Sequence, residues 1–242
     1  MRNPWNNLDK KSPFILDIDK QWVEEYEANL QYIAKKKNDE KSVQLLLHNH
    51  RLRTDDVPFP YYGNPDSAKI VVLQANPGYD LRRLERPFAN EIVDLDYQNL
   101  LHKPKPPLYS MLPKYREWTY KDGGHNICWY WKRTRHIREA VGWERVASGI
   151  IYLELFPYRS VRLKYPKRLP PSQEYTFYLL RTLLQRNVWV VMTRMDSNWL
   201  ENVPELKTYS QVAHIKNRRS IYLSPVNLDV NVFHSIEQSL QK

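Results

Sequence analysis

The apolar run Ala68–Gln74 stops at Ala75-Asn76-Pro77-Gly78, so a buried strand ends by presenting an amide side chain on a Pro-Gly turn. A turn that only reversed the chain has no need of that amide, and Asn76 is expected to face a bond to be cut. The competing reading is a turn residue that tolerates unusual φ/ψ. Three further segments close apolar runs in the same way: Glu154-Leu155-Phe156-Pro157, Thr193-Arg194 and Ser224-Pro225-Val226-Asn227. His125, His136 and His214 lack metal-ligand spacing, and no metal is expected. No G-x-G-x-x-G, Walker loop, G-x-S-x-G or H-E-x-x-H is present, which argues against the common α/β chemistries.

These groups need elements to position them. Residues 20–37 carry Trp22, Tyr26, Leu30 and Ile33 at helical spacing, and a second apolar patch, SVQLLLHNH, follows. AKIVVLQ (68–74), SGIIYLELFPY, VWVVMT and RSIYLSP read as four strands. Residues 81–127 are proline-rich with weak periodicity and read as a long loop region with short helices. CWYWKRTRHIREAVG reads as one helix ending near Gly142, QEYTFYLLRTLLQRN as a helix capped by Ser172, and the last helix starts at Asp229. Apolar strands alternating with helices predict an α/β fold with a mostly parallel sheet covered on both faces. In such sheets the site lies beyond the carboxyl ends of the strands, where the four segments above fall.

The chain has 242 residues, 42% of them hydrophobic, enough for a real core. No apolar run approaches the roughly 20 residues that span a bilayer. The opening MRNPWNNLDKKSPF shows no secretory h-region. The single cysteine, Cys128, excludes an internal disulfide, a four-cysteine iron–sulfur cluster and a zinc ribbon. A reducing, cytoplasmic setting without membrane contact or an obligatory protein partner is expected. The net charge of +10 is clustered in residues 131–138, 159–168 and 214–219. Lys132, Arg133, Arg135, Arg159, Arg162 and Arg218 stand in these runs and are candidates for phosphate contact with nucleic acid. A solvated surface is the bland alternative for any one run. Three runs, with 8 Trp and 17 Tyr available for stacking, favour nucleic acid.

The motifs also resemble a known family. QANPGYD is similar to the first active-site motif of the uracil-DNA glycosylase superfamily, in the Asn-Pro-Gly form of its mismatch-specific branch. RPFAN places Phe88 twelve positions after Asn76, about where the family has a base-stacking Phe. IIYLELFPY resembles the strand whose end carries the base-reading residue, VWVVMTR the next strand, and IYLSPVNL the second motif, which in the family reads His-Pro-Ser-Pro-Leu or Asn-Pro-Ser-Gly-Leu. The pieces run in order over about residues 57–242, and residues 1–57 have no counterpart.

The resemblance implies a three-layer α/β/α glycosylase-like domain over 58–242 with a central four-stranded sheet, preceded by an N-terminal helical extension over 1–57. It implies hydrolysis of an N-glycosidic bond, without cofactor, on a nucleotide flipped out of DNA. Asn76 would orient the attacking water. Gly78 stands where fast uracil enzymes carry a Tyr that blocks C5 substituents, and leaves room; a need for positive φ is equally compatible. Phe88 would stack on the base, unless it is only core. Leu228 matches the side chain that wedges into the duplex, with a core leucine at a helix start as the alternative.

Glu154 departs from the Asn usual in uracil enzymes. Ionised, it accepts from the amino group of cytosine; protonated, it donates to N3 and helps the base leave. A salt bridge to Arg159 or Arg162 is its alternative. Ser224 replaces the His or Asn of the second motif, so Asn227 or backbone N–H groups would stabilise the leaving base. Arg194 would hold a phosphate or a substituent on the base. The expected substrate is a bulky 5-substituted cytosine in foreign, phage-type DNA, leaving an abasic site. Repair of uracil or a mismatched pyrimidine, and a catalytically inactive DNA-binding module, remain alternatives.

Overall fold

The computed structural model describes residues 1–242 and has an α/β fold. Its strands are β1 (Tyr61–Tyr62), β2 (Ile70–Gln74), β3 (Glu117–Thr119), β4 (His125–Ile127), β5 (Ile150–Glu154), β6 (Trp189–Met192) and β7 (Val212–His214). β3 and β4 form a separate hairpin, and the other five make one sheet in the order β1-β5-β2-β6-β7. β5, β2, β6 and β7 are parallel, and β1 is antiparallel on the β5 edge.

The sheet therefore has five strands rather than the four expected. The predicted strand at 219–225 does not form, and β7 takes the edge instead. In that stretch the Asn227 amide occupies the carbonyls of Ser220 and Tyr222, the groups a ladder would have used.

The helices are α1 (Lys20–Ala34), α2 (Glu40–His50), α3 (Ala89–Leu100), α4 (Pro113–Arg116), α5 (Trp129–Arg133), α6 (Arg135–Val141), α7 (Trp143–Gly149), α8 (Gln173–Gln185), α9 (Asp196–Asn202) and α10 (Val230–Gln241). Successive residues of β2 point to opposite faces and feed two cores. Val71 and Leu73 pack with α1 and α8 through Trp22, Tyr26, Phe177 and Leu180. Ile70 and Val72 pack with α6, α7 and α10 through Ile137, Val146 and Phe233. All five residues of β2 and of β5 are buried, as expected for central parallel strands covered on both sides.

The N-terminal segment is part of this core. Trp5, Leu8, Leu16 and Trp22 lie in the cluster that covers one sheet face. Buried Asp19 ties the segment down by accepting from the Tyr158 hydroxyl at 2.7 Å and the Ser172 N–H at 2.9 Å. That use of Ser172 accompanies a corrected expectation, since its hydroxyl makes no cap on α8. Asp229 does cap α10, accepting from the N–H groups of Asn231 and Val232. The helix expected over 128–142 is broken at Thr134, whose hydroxyl bonds back to the Tyr130 carbonyl. The proline-rich region contains a three-turn helix, α3, and the β3–β4 hairpin, more order than its weak periodicity suggested. No helix is long and apolar enough to cross a membrane.

Candidate active site

Gln74 and Glu154 end β2 and β5 and are register partners, so both side chains leave the same face of the sheet at its carboxyl edge. Thr193 and Arg194 follow β6 at the same edge. Here a cleft of about 730 Å³ opens, lined by Asn76, Gly78, Phe88, Glu154 and Arg194 among others. Five residues singled out from sequence, scattered over more than a hundred positions, thus meet in one cavity. The switch from buried strand to loop at the ends of β2, β5 and β6 puts Asn76, Gly78, Glu154 and Arg194 there, and Phe88 joins them from the segment that enters α3.

Asn76 is half-buried, and its amide nitrogen donates to the Pro77 carbonyl and to the Ser160 hydroxyl, each at 3.3 Å. Gly78 and Ser160 form an isolated parallel bridge that holds the turn against the segment leaving β5. Gly78 does not have positive φ, so that explanation of the glycine falls away. A Cβ built on it meets nothing within 4 Å, so its lack of a side chain leaves space that a larger residue would fill.

Glu154 is 1% exposed, and its Oε2 has no hydrogen-bond partner. Burial pushes its pKa from the ordinary 4.5 up to about 8, against the opposing pull of Arg159 and Arg194. No salt bridge forms, because the nearby cations are otherwise engaged. Arg159 is buried and pairs with Asp96 at 2.9 Å and with Asp56 at 3.5 Å. Arg83 joins the same two carboxylates at 2.5 and 2.8 Å, and the Tyr109 hydroxyl donates to Asp96. This buried ionic cluster braces one wall of the cleft. It also makes Arg159 an ion-paired residue of the cleft wall rather than a free surface cation. Arg162 stays exposed at the rim of the cleft.

Phe88 is 8% exposed and packs edge-on against Tyr115 and Trp118 at 5.1 and 5.7 Å. It is a core residue that also forms part of the cleft wall. Tyr62, Tyr109, Tyr130 and Trp129 extend the aromatic lining. Arg194 donates to the Arg218 carbonyl at 3.3 Å, and the next residue, Met195, holds a left-handed φ of 60° beside the cleft.

The second motif is placed elsewhere. Ser224 and Asn227 line a separate cavity of about 710 Å³ and are absent from the walls of the first. Asn227 spends its amide on its own loop, accepting from the Asn217 N–H and donating to Ser220 and Tyr222. The Ser224 hydroxyl accepts from the Asn227 N–H. Neither lines the cleft that holds Asn76 and Glu154, so the structure does not bring the second motif together with them. Leu228 is fully buried in the core, which matches its alternative reading as a core leucine at a helix start. Val226, two residues earlier, is 85% exposed at the tip of this loop.

The second cavity is basic. Lys132, Arg135, His136, Arg138 and Lys216 line it, and no Asp or Glu does. Arg135 is paired with Glu139, and Arg138 lies over the Trp131 ring at 3.2 Å. Arg133 stacks on Tyr222, and Arg218 pairs with Asp196 at 2.7 Å. Ser220 and Tyr222 of one cavity flank Ile221 of the other, and Trp131 sits two residues from Trp129, so the two cavities are neighbours.

Gln74, Ser160, Trp118 and the Asp56–Arg83–Asp96–Arg159 cluster were not singled out from sequence. Only Gln74 carried a signal, as the lone polar residue closing an apolar run. No group of three or more His, Cys, Asp or Glu side chains is arranged to hold a metal ion. No family model, no curated protein and no solved structure matches this chain.

Proposed function

We propose that the chain is a monofunctional DNA glycosylase that hydrolyses the N-glycosidic bond of a flipped-out, non-standard pyrimidine and leaves an abasic site. The observation that carries this reading is the meeting of Asn76 with an unpartnered, buried Glu154 at adjacent strand ends in one aromatic cleft. A water held by Asn76 attacks C1′ as the C1′–N bond breaks. Positive charge on the sugar and negative charge on the base develop together, as in glycoside hydrolysis. With its pKa near 8, Glu154 is mostly neutral at pH 7 and has a proton to give. Its O–H donates to cytosine N3 while its carbonyl oxygen accepts from the 4-amino group. The electron pair of the broken bond leaves with the base, which takes the carboxyl proton, and the proton lost by the water passes to solvent.

Phe88 and its aromatic neighbours supply the surface on which a flipped base stacks. The open space at Gly78 and the size of the cleft favour a base larger than a plain pyrimidine, best a bulky 5-substituted cytosine. Such bases occur in phage DNA, which makes defence against foreign DNA the matching role. The basic second cavity suits phosphates beside the flipped nucleotide, with Val226 as an exposed apolar side chain in its lining, two residues from Leu228. A second reading, excision of uracil, has one specific support. A neutral carboxyl can also donate to uracil O4 and accept from its N3–H, so Glu154 alone does not reject uracil. Incubating the protein with duplexes bearing each base and cleaving with alkali tests both readings. Strand scission only at uracil would select the second, and scission at neither base would remove both.

A further inference from the structure

The Asn76 amide has two ends, and only one of them is useful for activating water. Its oxygen accepts a proton, whereas its nitrogen can only donate. The nitrogen is held on the protein side by the Pro77 carbonyl and the Ser160 hydroxyl, both at 3.3 Å. The Pro77 carbonyl only accepts, so turning the amide over would set the amide oxygen against that carbonyl and lose the contact, whereas the present orientation satisfies both neighbours. Asn76 Oδ1 accepts from no group of the protein and is not among the buried, unpartnered atoms, unlike Glu154 Oε2.

Ser160 is fully buried, and this contact is the only hydrogen bond its hydroxyl makes. Its backbone is fixed independently, through the bridge to Gly78 and by accepting from the Tyr79 N–H at 3.1 Å. Its neighbour Arg159 is anchored in the ionic cluster with Asp56 and Asp96. The hydroxyl therefore stands on a braced segment and is aimed at one side chain.

We propose that Ser160 is the positioning residue for Asn76, clamping the amide nitrogen so that Oδ1 is presented to the attacking water. The assignment rests on the glycosylase reading and adds to it a residue outside the resembling motif. A neutral amide is a weak base, so its contribution depends on alignment more than on proton affinity. Losing one of two long hydrogen bonds lets the amide rotate, which costs the chemical step and leaves the base-binding surface unchanged.

The test is single-turnover and steady-state excision by parent, Ser160→Ala and Ser160→Cys, with thermal melts to establish that each is folded. Ser160→Ala is expected to lower kcat roughly 10- to 100-fold with KM within about twofold of parent. Ser160→Cys keeps the shape with a poorer acceptor and is expected to fall between the two. In an Asn76→Ala background, Ser160→Ala is expected to change residual excision by less than about twofold, because no amide remains to be held. A parental kcat in Ser160→Ala, a change confined to KM, or a full additional loss in the Asn76→Ala background would each overturn the assignment while leaving the glycosylase reading in place. A parent that releases no base from any duplex overturns both.

Discussion

Replacing Glu154 by Gln tests the buried acid through stability and through rate. The folded chain binds the Glu154 proton up to about pH 8, whereas an unfolded chain releases it near 4.5. Between those values the unfolded state binds fewer protons, so this group makes stability fall as pH rises, and the effect levels off above the folded pKa. At about 1.4 kcal/mol per pH unit over about 3.5 pH units, the carboxyl costs roughly 5 kcal/mol once both states are ionised. Gln keeps the shape and carries no charge at any pH. Urea unfolding of both proteins should give similar stability near pH 5 and a variant more stable by several kcal/mol above about pH 8. Stability curves that run parallel across this range would show that Glu154 has a charge partner, and the acid role would fall with the raised pKa. In kinetics, parental kcat should decline above about pH 8, and that decline should be absent in Glu154→Gln, whose excision drops more than its binding. Equal losses in excision and binding would instead make Glu154 a reader of the 4-amino group only.

Gly78→Tyr should fold with parental stability, since the site is open and φ is ordinary, and should lower excision of a bulky 5-substituted cytosine at least about tenfold while sparing smaller bases. Uniform loss on every base would mean that Gly78 does not govern bulk at C5. Leu228→Ala should cost about 2–5 kcal/mol of stability through a core cavity, while Val226→Ala should leave stability within about 0.5 kcal/mol and weaken duplex binding. The opposite pattern in melts and binding assays would return the wedge role to Leu228. Removing Lys132 and Lys216 together should reduce the slope of log binding constant against log salt by about 2. An unchanged slope would place the phosphates on another surface.

The placement of residues at strand ends was legible in the sequence, because an apolar run marks a buried strand and its first polar neighbours mark the carboxyl edge. That logic alone puts Asn76, Glu154 and Arg194 on one cleft. It failed where the end of an apolar run was not the end of a strand. IYLSPVNL looks like a strand followed by a site loop, yet its residues form an irregular segment knotted by the Asn227 amide, and Ser224 and Asn227 end up in the neighbouring cavity. Burial of charge was equally hidden. Arg159 stands in a dense basic run, and nothing in that run distinguishes it from exposed Arg162 until Asp56 and Asp96, distant in sequence, are brought beneath it. The clamp on Asn76 was invisible for the same reason, since Ser160 meets it across 84 positions of chain.

Base release by parent and Asn76→Ala, measured side by side in EDTA, tests the central claim most directly. The substrates are duplexes carrying cytosine, 5-substituted cytosines, uracil or a mismatched thymine, and alkali converts each abasic site to a strand break. The parent is expected to release a 5-substituted cytosine without metal, faster than uracil, and to spare cytosine. Asn76→Ala should bind the same duplexes with near-parental affinity and lose most of the release. Equal rates for the two proteins, or no strand break on any duplex, would contradict that claim.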